Sequence, residues 1–123
     1  MPITCTVHES PKGRKYVRTY ASGVVTGEDA IPVMEKMKPG QDWHGYGVLS
    51  VAEPNTDLQP EARRVFTSQQ NVPVDKRPPT AMIVTSAPLR ITISFVVRVS
   101  GSAPNTKFFG NEAEGTKWLE AEP

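Results

Sequence analysis

Cysteine, aromatic residues and long apolar runs are all scarce in this sequence, and each scarcity excludes a class of protein. The 123 residues include one cysteine, Cys5, which excludes an internal disulfide and a zinc site built from several cysteines. No stretch approaches the ~20 consecutive apolar residues of a membrane-spanning helix. Aromatic residues make up 7% and hydrophobic residues 37% of the chain, which is enough for one core in a single domain, residues 1–123.

An excess of either positive or negative charge is also lacking. Lysine and arginine number 14, and aspartate and glutamate 13, so no net field draws the chain to nucleic acid, and no zinc-finger or RNP-like pattern is present. Residues 1–4 do not have the basic-then-apolar layout of a secretory signal. We therefore expect a cytoplasmic protein that binds no nucleic acid and does not cross a membrane. Whether it forms a homo-oligomer stays open.

The first two predicted strands form a hairpin. Residues 3–7 alternate apolar and polar side chains, as a half-buried strand does, and residues 15–21 follow as a second strand. Between them, Ser-Pro-Lys-Gly at residues 10–13 has the composition of a turn. Cys5 lies within the first strand, and we expect it to be a small buried hydrophobic side chain.

A helix is predicted after the hairpin. Thr26 with Asp29 three residues later is the pattern of a capping side chain and its reciprocal acid. Apolar side chains then recur at helical spacing at Ala30, Val33, Met34 and Met37. Pro32 conflicts with this helix, because a proline in a regular helix interior costs ~3 kcal/mol. Either the helix begins near Ile31, or it begins at Thr26 and is distorted at Pro32. The cap favours the second alternative.

The middle of the chain alternates predicted elements with loops. Residues 45–51 are predicted to form a third, central strand, and residues 53–60 a polar loop. Residues 61–66 are predicted to be a short helix with Pro60 at its entry, where the missing N–H costs little. Residues 71–79 hold three prolines and several charged side chains, and they are predicted to be an exposed connection.

The last third of the chain is predicted to contain two strands and a final helix. Residues 80–84 are a short apolar run next to prolines, which is typical of a buried strand. Residues 105–109 form a second short strand. Asn111 followed three residues later by Glu114 repeats the capping pattern and opens the helix. One side of this helix presents Gly115, Trp118 and Leu119.

The segment between these two strands, residues 89–99, gives conflicting signals. Six apolar side chains alternate with mostly polar ones, and this period of two with many β-branched residues favours a strand. As a helix, the segment would begin after Ser86 and end at Gly101. Its buried side would then be Leu89, Ile93, Val96 and Val97. Parallel strands on either side would need a crossover of this length, so the order of elements favours the helix.

One order of motifs runs through nearly the whole chain. In the last forty residues it is a strand, a polar turn, a helix with Leu-Arg at 89–90, a strand with Phe-Phe at 108–109, and an acidic helix with Trp-Leu at 118–119. Upstream, residues 21–29 are a strand-to-helix junction, and residues 43–49 lead into the central strand. This order and spacing resemble the small bacterial STAS-like proteins related to sporulation anti-sigma-factor antagonists.

The resemblance implies both a fold and a mode of action. The implied fold is α/β of the mixed α+β kind, with an N-terminal hairpin in a mixed sheet of about five strands and about four helices. In that family the segment that corresponds to residues 88–100 of this sequence is a helix. Proteins of the antagonist type act by binding partners, so the resemblance implies a non-enzymatic regulatory or protein-interaction domain. The binding region would be loop 53–60 and the helix after it.

Some members of this family also carry a phosphorylatable serine, within an Asp-Ser-Ser-Gly-like turn at the start of that helix. This sequence departs from the pattern, since residues 55–59 contain no glycine and no serine, and Thr56 is the one hydroxyl. A phosphate on Thr56 would add nearly two negative charges. Alternatively, Thr56 and Asp57 form turn or cap hydrogen bonds. The candidate partner-binding or switch residues are Asn55, Thr56, Asp57, Arg63 and Arg64.

Candidate catalytic residues are few. His8 and His44 are the only histidines, and neither has an oriented nucleophile or ligands at metal-binding spacing. The sequence therefore predicts no enzyme, no metal and no cofactor. The alternative function is a carrier of a small apolar or lipid-like ligand, at a membrane surface. Its cavity would be lined by Met34, Met37, Met82, Phe95, Val96 and Trp118, although ordinary core packing explains the same residues.

Overall fold

The computed structural model of the protein describes residues 3–36, 41–43, 46–67, 79–99 and 105–121. Its strands are β1 (Ile3–Glu9), β2 (Lys15–Ala21), β3 (Val24–Val25), β4 (Gly47–Ala52), β5 (Asp57–Leu58), β6 (Thr80–Val84) and β7 (Thr106–Phe109). Its helices are α1 (Gly27–Lys36), α2 (Pro60–Thr67), α3 (Ala87–Val99) and α4 (Glu112–Ala121).

Five of the strands form one mixed sheet in the order β1-β2-β4-β6-β7. β1 is antiparallel to β2, and the other neighbours are parallel. Parallel neighbours need crossover connections, and the chain supplies α1 between β2 and β4, α2 between β4 and β6, and α3 between β6 and β7. The mixed sheet, the hairpin and the helices that the resemblance implied are therefore confirmed.

A tight turn closes the β1–β2 hairpin. The Ser10 N–H donates to the Arg14 carbonyl at 2.8 Å, and the Ser10 hydroxyl accepts from the Arg14 N–H at 3.1 Å. Gly13 has φ +83°, a left-handed conformation that favours glycine. These contacts fix the pairing of Glu9 with Lys15. The hairpin prediction is confirmed, and β1 is two residues longer than predicted because its pairing continues into the turn.

Each face of the sheet has its own core. The core on the α4 side consists of Leu49, Val51, Ala81, Ile83 and Leu119. The core on the α3 side consists of Ala52, Met82, Val84, Leu89 and Ile93. A third cluster, where α1 packs on α2, consists of Val25, Ala30 and Ala62. Successive residues of β4 and β6 alternate between the two sheet faces, so these central strands are apolar on both sides.

α1 begins at the predicted cap despite its internal proline. The Thr26 hydroxyl accepts from the Asp29 N–H at 3.3 Å, and Asp29 Oδ2 accepts from the Thr26 N–H at 2.9 Å. This reciprocal arrangement is a capping box. Pro32 lies inside the helix and is exposed, and the helix continues to Lys36. The start at Thr26 is confirmed, because the cap fixes the first turn before Pro32 is reached.

Residues 89–99 are helical, and the alternating sequence pattern has a physical cause. The buried side of α3 carries Leu89, Ile93 and Val96, and its solvent side carries Ile91, Phe95 and Val99. A helix with apolar residues on both sides can mimic the period of two of a strand. Chain topology decides between the two, because β6 and β7 are parallel neighbours and need a crossover between them.

Two parts of the middle segment differ from the prediction. Residues 53–60 are not a loop throughout, because Asp57–Leu58 forms β5 and pairs in parallel with Val24–Val25. Two residues are too few to show a strand period, so this pairing has no local signal. Residues 71–78 of the predicted connection lie outside the described residues, as does Gly45, the first residue predicted for the central strand.

Candidate interaction surface

The loop between β4 and α2 is fastened to the segment that follows β2. The N–H groups of Glu53, Asp57 and Gln59 donate to the carbonyl groups of residues 21, 23 and 25, at 3.0, 2.8 and 3.0 Å respectively. Gly23 has φ +71°, a conformation that glycine adopts without steric cost. These bonds hold the loop backbone, so the fold sets the positions of the loop side chains.

Thr56, the candidate phosphate acceptor, points inward. Its side chain is buried, and its hydroxyl donates to the Ala21 carbonyl at 3.0 Å. Its N–H donates to the Glu53 carbonyl, also at 3.0 Å. A hydroxyl that accepts a phosphate must be reached from solvent, so this geometry favours the alternative role of Thr56 in turn hydrogen bonds.

The two neighbours of Thr56 face solvent. Asn55 and Asp57 are both exposed, and Asp57 Oδ2 accepts a hydrogen bond from Gln59 Nε2 at 2.9 Å. An amide and a carboxylate are therefore presented side by side on a fixed backbone. These groups can donate to and accept from a partner without a rearrangement of the loop.

The arginines predicted for the site lie on α2. Arg63 and Arg64 are exposed, and Arg63 Nε donates to the Leu58 carbonyl at 3.1 Å. On its inner side α2 lies close to α1, since a Cβ added at Gly27 would come within 3.1 Å of Glu61 Cβ. The arginines follow the loop directly, so the predicted site residues, Thr56 excepted, belong to one exposed segment.

The sequence analysis missed the solvent side of α3. α3 packs beside α2, and its exposed residues include Ile91 and Phe95. The Arg90 guanidinium lies over the Phe108 ring, 5.0 Å from its centroid, a cation–π contact. A sequence signal existed, because residues 89–99 carry more apolar side chains than one helix face can bury. It was not recognised because the same residues also fit a strand.

His8 and Cys5 do not form a catalytic pair. His8 stacks on Tyr16 with ring centroids 5.5 Å apart, and its Nε2 is 2.7 Å from Thr6 Oγ1. Cys5 is three residues from His8 on β1, so the thiol and the imidazole project from opposite faces of the sheet. Nucleophilic catalysis needs the two in hydrogen-bond reach, and this strand keeps them apart.

Cys5 is half-buried rather than fully buried as predicted, because β1 is an edge strand. Burial raises the pKa of the Cys5 thiol, and the charge of Lys36 opposes that shift more weakly. A raised pKa leaves less of the thiolate, which is the reactive form. The thiol is therefore a packing group in this strand.

An ion pair joins β2 to the start of α4. Arg18 donates to both carboxylate oxygens of Glu112, from Nε at 2.7 Å and from Nη2 at 3.1 Å. These hydrogen bonds lower the pKa of Glu112, although partial burial opposes the shift. Arg18 also lies over the Tyr20 ring, 5.5 Å from its centroid. The pair thus links β2 to the first turn of α4.

The described part of the chain holds no metal-binding cluster and no membrane-spanning helix. Over the described ranges, no three His, Cys, Asp or Glu side chains are grouped so that they could hold a metal ion. His44 lies outside those ranges. The helices that the structure describes are all too short or too polar to span a bilayer.

The residues predicted to line an apolar cavity do not face one space. Met82 belongs to the core on the α3 side, whereas Trp118 packs on the α4 side with a ring centroid 5.8 Å from that of Phe109. Phe95 is exposed, and Met37 lies outside the described residues. The sheet separates Met82 from Trp118, so these residues do not line one shared cavity. Core packing, the other alternative, accounts for Met82 and Trp118, whereas the exposed Phe95 is not part of a core.

Comparison with known proteins gives the fold. The sequence matches no family model and no curated protein. It is similar in structure to an uncharacterized protein of the DUF3478 family from Shewanella loihica PV-4, whose crystal structure has a SpoIIAA-like fold. The TM-score is 0.67 at 18% sequence identity, over 95% of this chain and 93% of that chain. The protein therefore has the SpoIIAA-like, STAS-type fold that its order of motifs predicted.

Proposed function

We propose that this domain is a non-enzymatic interaction module that binds another protein through residues 53–60 and α2. The observation that carries the proposal is the fixed loop backbone, which presents Asn55 and Asp57 to solvent directly before the arginines of α2. A surface that is already ordered loses little conformational entropy on binding. Arg63 and Arg64 add guanidinium groups that suit carboxylates of a partner.

The fold supports the same proposal from another direction. The sequence resembles anti-sigma-factor antagonists, which act by binding proteins, and the SpoIIAA-like fold agrees with that resemblance. We place the protein in the cytoplasm, where such partners act. Thr56 has a structural role in this proposal, because its hydroxyl already donates to the Ala21 carbonyl and phosphorylation would break that bond.

Site-specific photo-crosslinking tests the proposal. The photoreactive residue p-benzoylphenylalanine replaces Asn55 or Arg64 in the purified protein, which is then irradiated in a lysate of the native cells. We expect both positions to give the same cross-linked partner. The double substitution Arg63→Glu and Arg64→Glu, combined with the label at position 55, should lower the yield several-fold, because it reverses the charge of the surface.

Lys117 provides the matched control position, since it is exposed on α4 on the opposite face of the sheet. The same label there should give no cross-link to that partner. Absence of a partner at positions 55 and 64, or equal yields at all three positions, would contradict the proposal.

A further inference from the structure

Three apolar side chains of α3 face solvent in a line. Ile91, Phe95 and Val99 are 71%, 60% and 42% exposed, and they follow one another at intervals of four residues. Such spacing puts them along one side of a helix, over roughly 12 Å at 1.5 Å per residue. Single exposed apolar residues are ordinary on protein surfaces. Core packing does not account for an aligned set of three on a helix whose opposite side is already buried.

We call the line of Ile91, Phe95 and Val99 the apolar ridge, and the charge on α3 and the neighbouring α2 is mainly positive. α3 carries Arg90 and Arg98 and has no acidic residue. Beside it, α2 carries Arg63 and Arg64 with only Glu61 to oppose them. The two helices together therefore have a net charge of +3, from four arginines less one glutamate. We call this exposed part of α2 and α3, namely Arg63, Arg64, Arg90, Ile91, Phe95, Arg98 and Val99, the α2–α3 surface.

α1 shows that this charge is not general to the helices on this side of the sheet. α1 carries Glu28, Asp29 and Glu35 against Lys36, which gives it a net charge of −2, from three acids less one lysine. Its one large exposed apolar residue is Ile31. The apolar ridge of α3 and the positive charge of α2 and α3 thus occur side by side, whereas α1 has neither.

We infer that the α2–α3 surface binds an acidic amphipathic helix of the partner protein. The inference rests on the proposed function and extends its binding region from α2 to α3. Apolar side chains of the partner at positions i, i+3, i+4 and i+7 would pack against Ile91 and Phe95. Carboxylates on either side of that apolar stripe would meet the arginines, and charge-assisted hydrogen bonds to guanidinium groups fix such a helix in register.

Charge excludes a second copy of this chain as the occupant. A two-fold interface places the same surface on both subunits, so four arginines would face four arginines. Like charges brought together across an interface oppose association. A partner of opposite charge avoids this repulsion and is attracted to the arginines.

The arginine side chains favour a protein helix over an anionic bilayer. Arg63 Nε is bound to the Leu58 carbonyl, and the Arg90 guanidinium rests on the Phe108 ring. Both groups are therefore held against the domain. A bilayer binds cations that project to the level of the inserted apolar residues, whereas the carboxylate of a glutamate side chain can extend down to a guanidinium at a fixed position.

Selection from a displayed peptide library tests the inference. The library consists of 18-residue helices with apolar residues at i, i+3, i+4, i+7 and i+11 and random residues elsewhere, selected on the purified protein. We expect enrichment of Asp and Glu at the positions that flank the apolar stripe. For a synthetic peptide of the enriched sequence, the double substitution Ile91→Ser and Phe95→Ser should weaken the Kd at least about tenfold, and Arg98→Glu about threefold.

The control variant carries Ile31→Ser and Val7→Ser, two exposed apolar residues outside the α2–α3 surface and outside the loop 53–60. Its Kd should stay within twofold of the unsubstituted protein. All these positions are exposed, so the variants should melt at the same temperature as the parent. Vesicles of phosphatidylcholine and phosphatidylglycerol at 3:1 should not co-sediment the protein.

Each contrary result has a distinct meaning. Enriched peptides without acidic bias, or a Kd unchanged by Ile91→Ser and Phe95→Ser, would overturn the inference. If the enriched peptide loses affinity for the Arg63→Glu, Arg64→Glu variant but not for the Ile91→Ser, Phe95→Ser variant, the apolar ridge has no role in binding and the proposed function stands. Vesicle binding that depends on Ile91 and Phe95 would replace the helix by a membrane. Failure of the photo-crosslinking at positions 55 and 64 would remove the proposed function itself.

Discussion

α3 and α4 lie on opposite faces of β6, and they use their apolar residues differently. α4 places Leu119 in a core, packs Trp118 on Phe109, and exposes no large apolar side chain. α3 buries one side just as fully and still carries a second apolar line on its solvent side. Core packing alone accounts for the sequence of α4. It does not account for the exposed apolar line of α3, which is the surface that our inference assigns to an acidic helix of a partner.

The two helices also differ in how closely they approach the sheet. A Cβ added at Gly115 of α4 would come within 2.9 Å of both Ile83 Cδ1 and Leu49 Cδ1. Glycine costs a helix about 1 kcal/mol relative to alanine, and here it allows a close approach to β4 and β6. α3 has no glycine, and it packs on the sheet through the side chains of Leu89 and Ile93.

The largest difference in stability between the two helices should come from truncation of Leu119, the core residue of α4. Leu119→Ala should lower the free energy of unfolding by ~2–5 kcal/mol, because a buried leucine loses its contacts and leaves a cavity. Phe95→Ala on the outer side of α3 removes a larger side chain and should change that free energy by less than ~0.5 kcal/mol. Urea denaturation of both variants measures the difference. Similar losses would show that Phe95 belongs to the fold and would remove the contrast between the helices.

A medium effect should come from filling the space that Gly115 keeps open. Gly115→Val should lower the free energy of unfolding by ~1–3 kcal/mol through overpacking, because its side chain would overlap Ile83 and Leu49. The matched control is Gly110→Val, since a Cβ added at Gly110 meets nothing within 4 Å. Thermal melting of the two variants checks the prediction. A Gly115→Val variant as stable as the parent would mean that α4 can shift outward without cost.

A smaller effect should come from the N-terminal caps. Asn111 Oδ1 accepts from the Glu114 N–H at 2.9 Å, whereas Ser86 Oγ accepts from the Leu89 N–H at a longer 3.4 Å. Asn111→Ala should cost ~1 kcal/mol, the usual value for loss of a cap, and Ser86→Ala should cost less because its bond is weaker. Chemical denaturation of both variants shows which substitution lowers the free energy of unfolding more. An equal or greater loss for Ser86→Ala would reverse the comparison.

Much of the fold was predictable because its signals are local. The caps at Thr26 and Asn111 act within one helical turn, so both helix starts followed from the sequence. The helical state of α3 was not decided locally, and needed the order of strands around it. The β3–β5 pairing could not be predicted, because it joins pairs of residues that lie 33 positions apart, from 24 to 57.

The candidate site was predictable in part. Asn55, Asp57, Arg63 and Arg64 are polar residues in a loop and on a short helix, and their exposure follows from that composition. The inward direction of Thr56 does not, because its hydroxyl bonds the carbonyl of a residue 35 positions earlier. The ridge on α3 was also hidden, since a single sequence cannot show which apolar side of a helix meets the sheet.

The smallest effect should come from the ion pair between Arg18 of β2 and Glu112 of α4, and this effect should depend on pH. α3 has no such pair through an acidic residue of its own, since its charged residues are both arginines. Arg18 lowers the pKa of Glu112 below its ordinary value of 4.5. The pair therefore stabilises the folded state fully above pH 4.5, and this contribution is lost as the pH falls through the lowered pKa. Both side chains are partly exposed, so Glu112→Gln should cost between a few tenths and ~1 kcal/mol at pH 7.

Urea denaturation of the parent and of Glu112→Gln at a series of pH values checks this, with a double-mutant cycle through Arg18→Met to isolate the pair. The difference between parent and variant should be constant from pH 7 to pH 5 and should shrink below pH 4.5. A difference that does not shrink as the pH falls below 4.5 would show that Glu112 stabilises α4 by its shape or its cap position. In that case α4, like α3, would be held to the sheet without an ion pair.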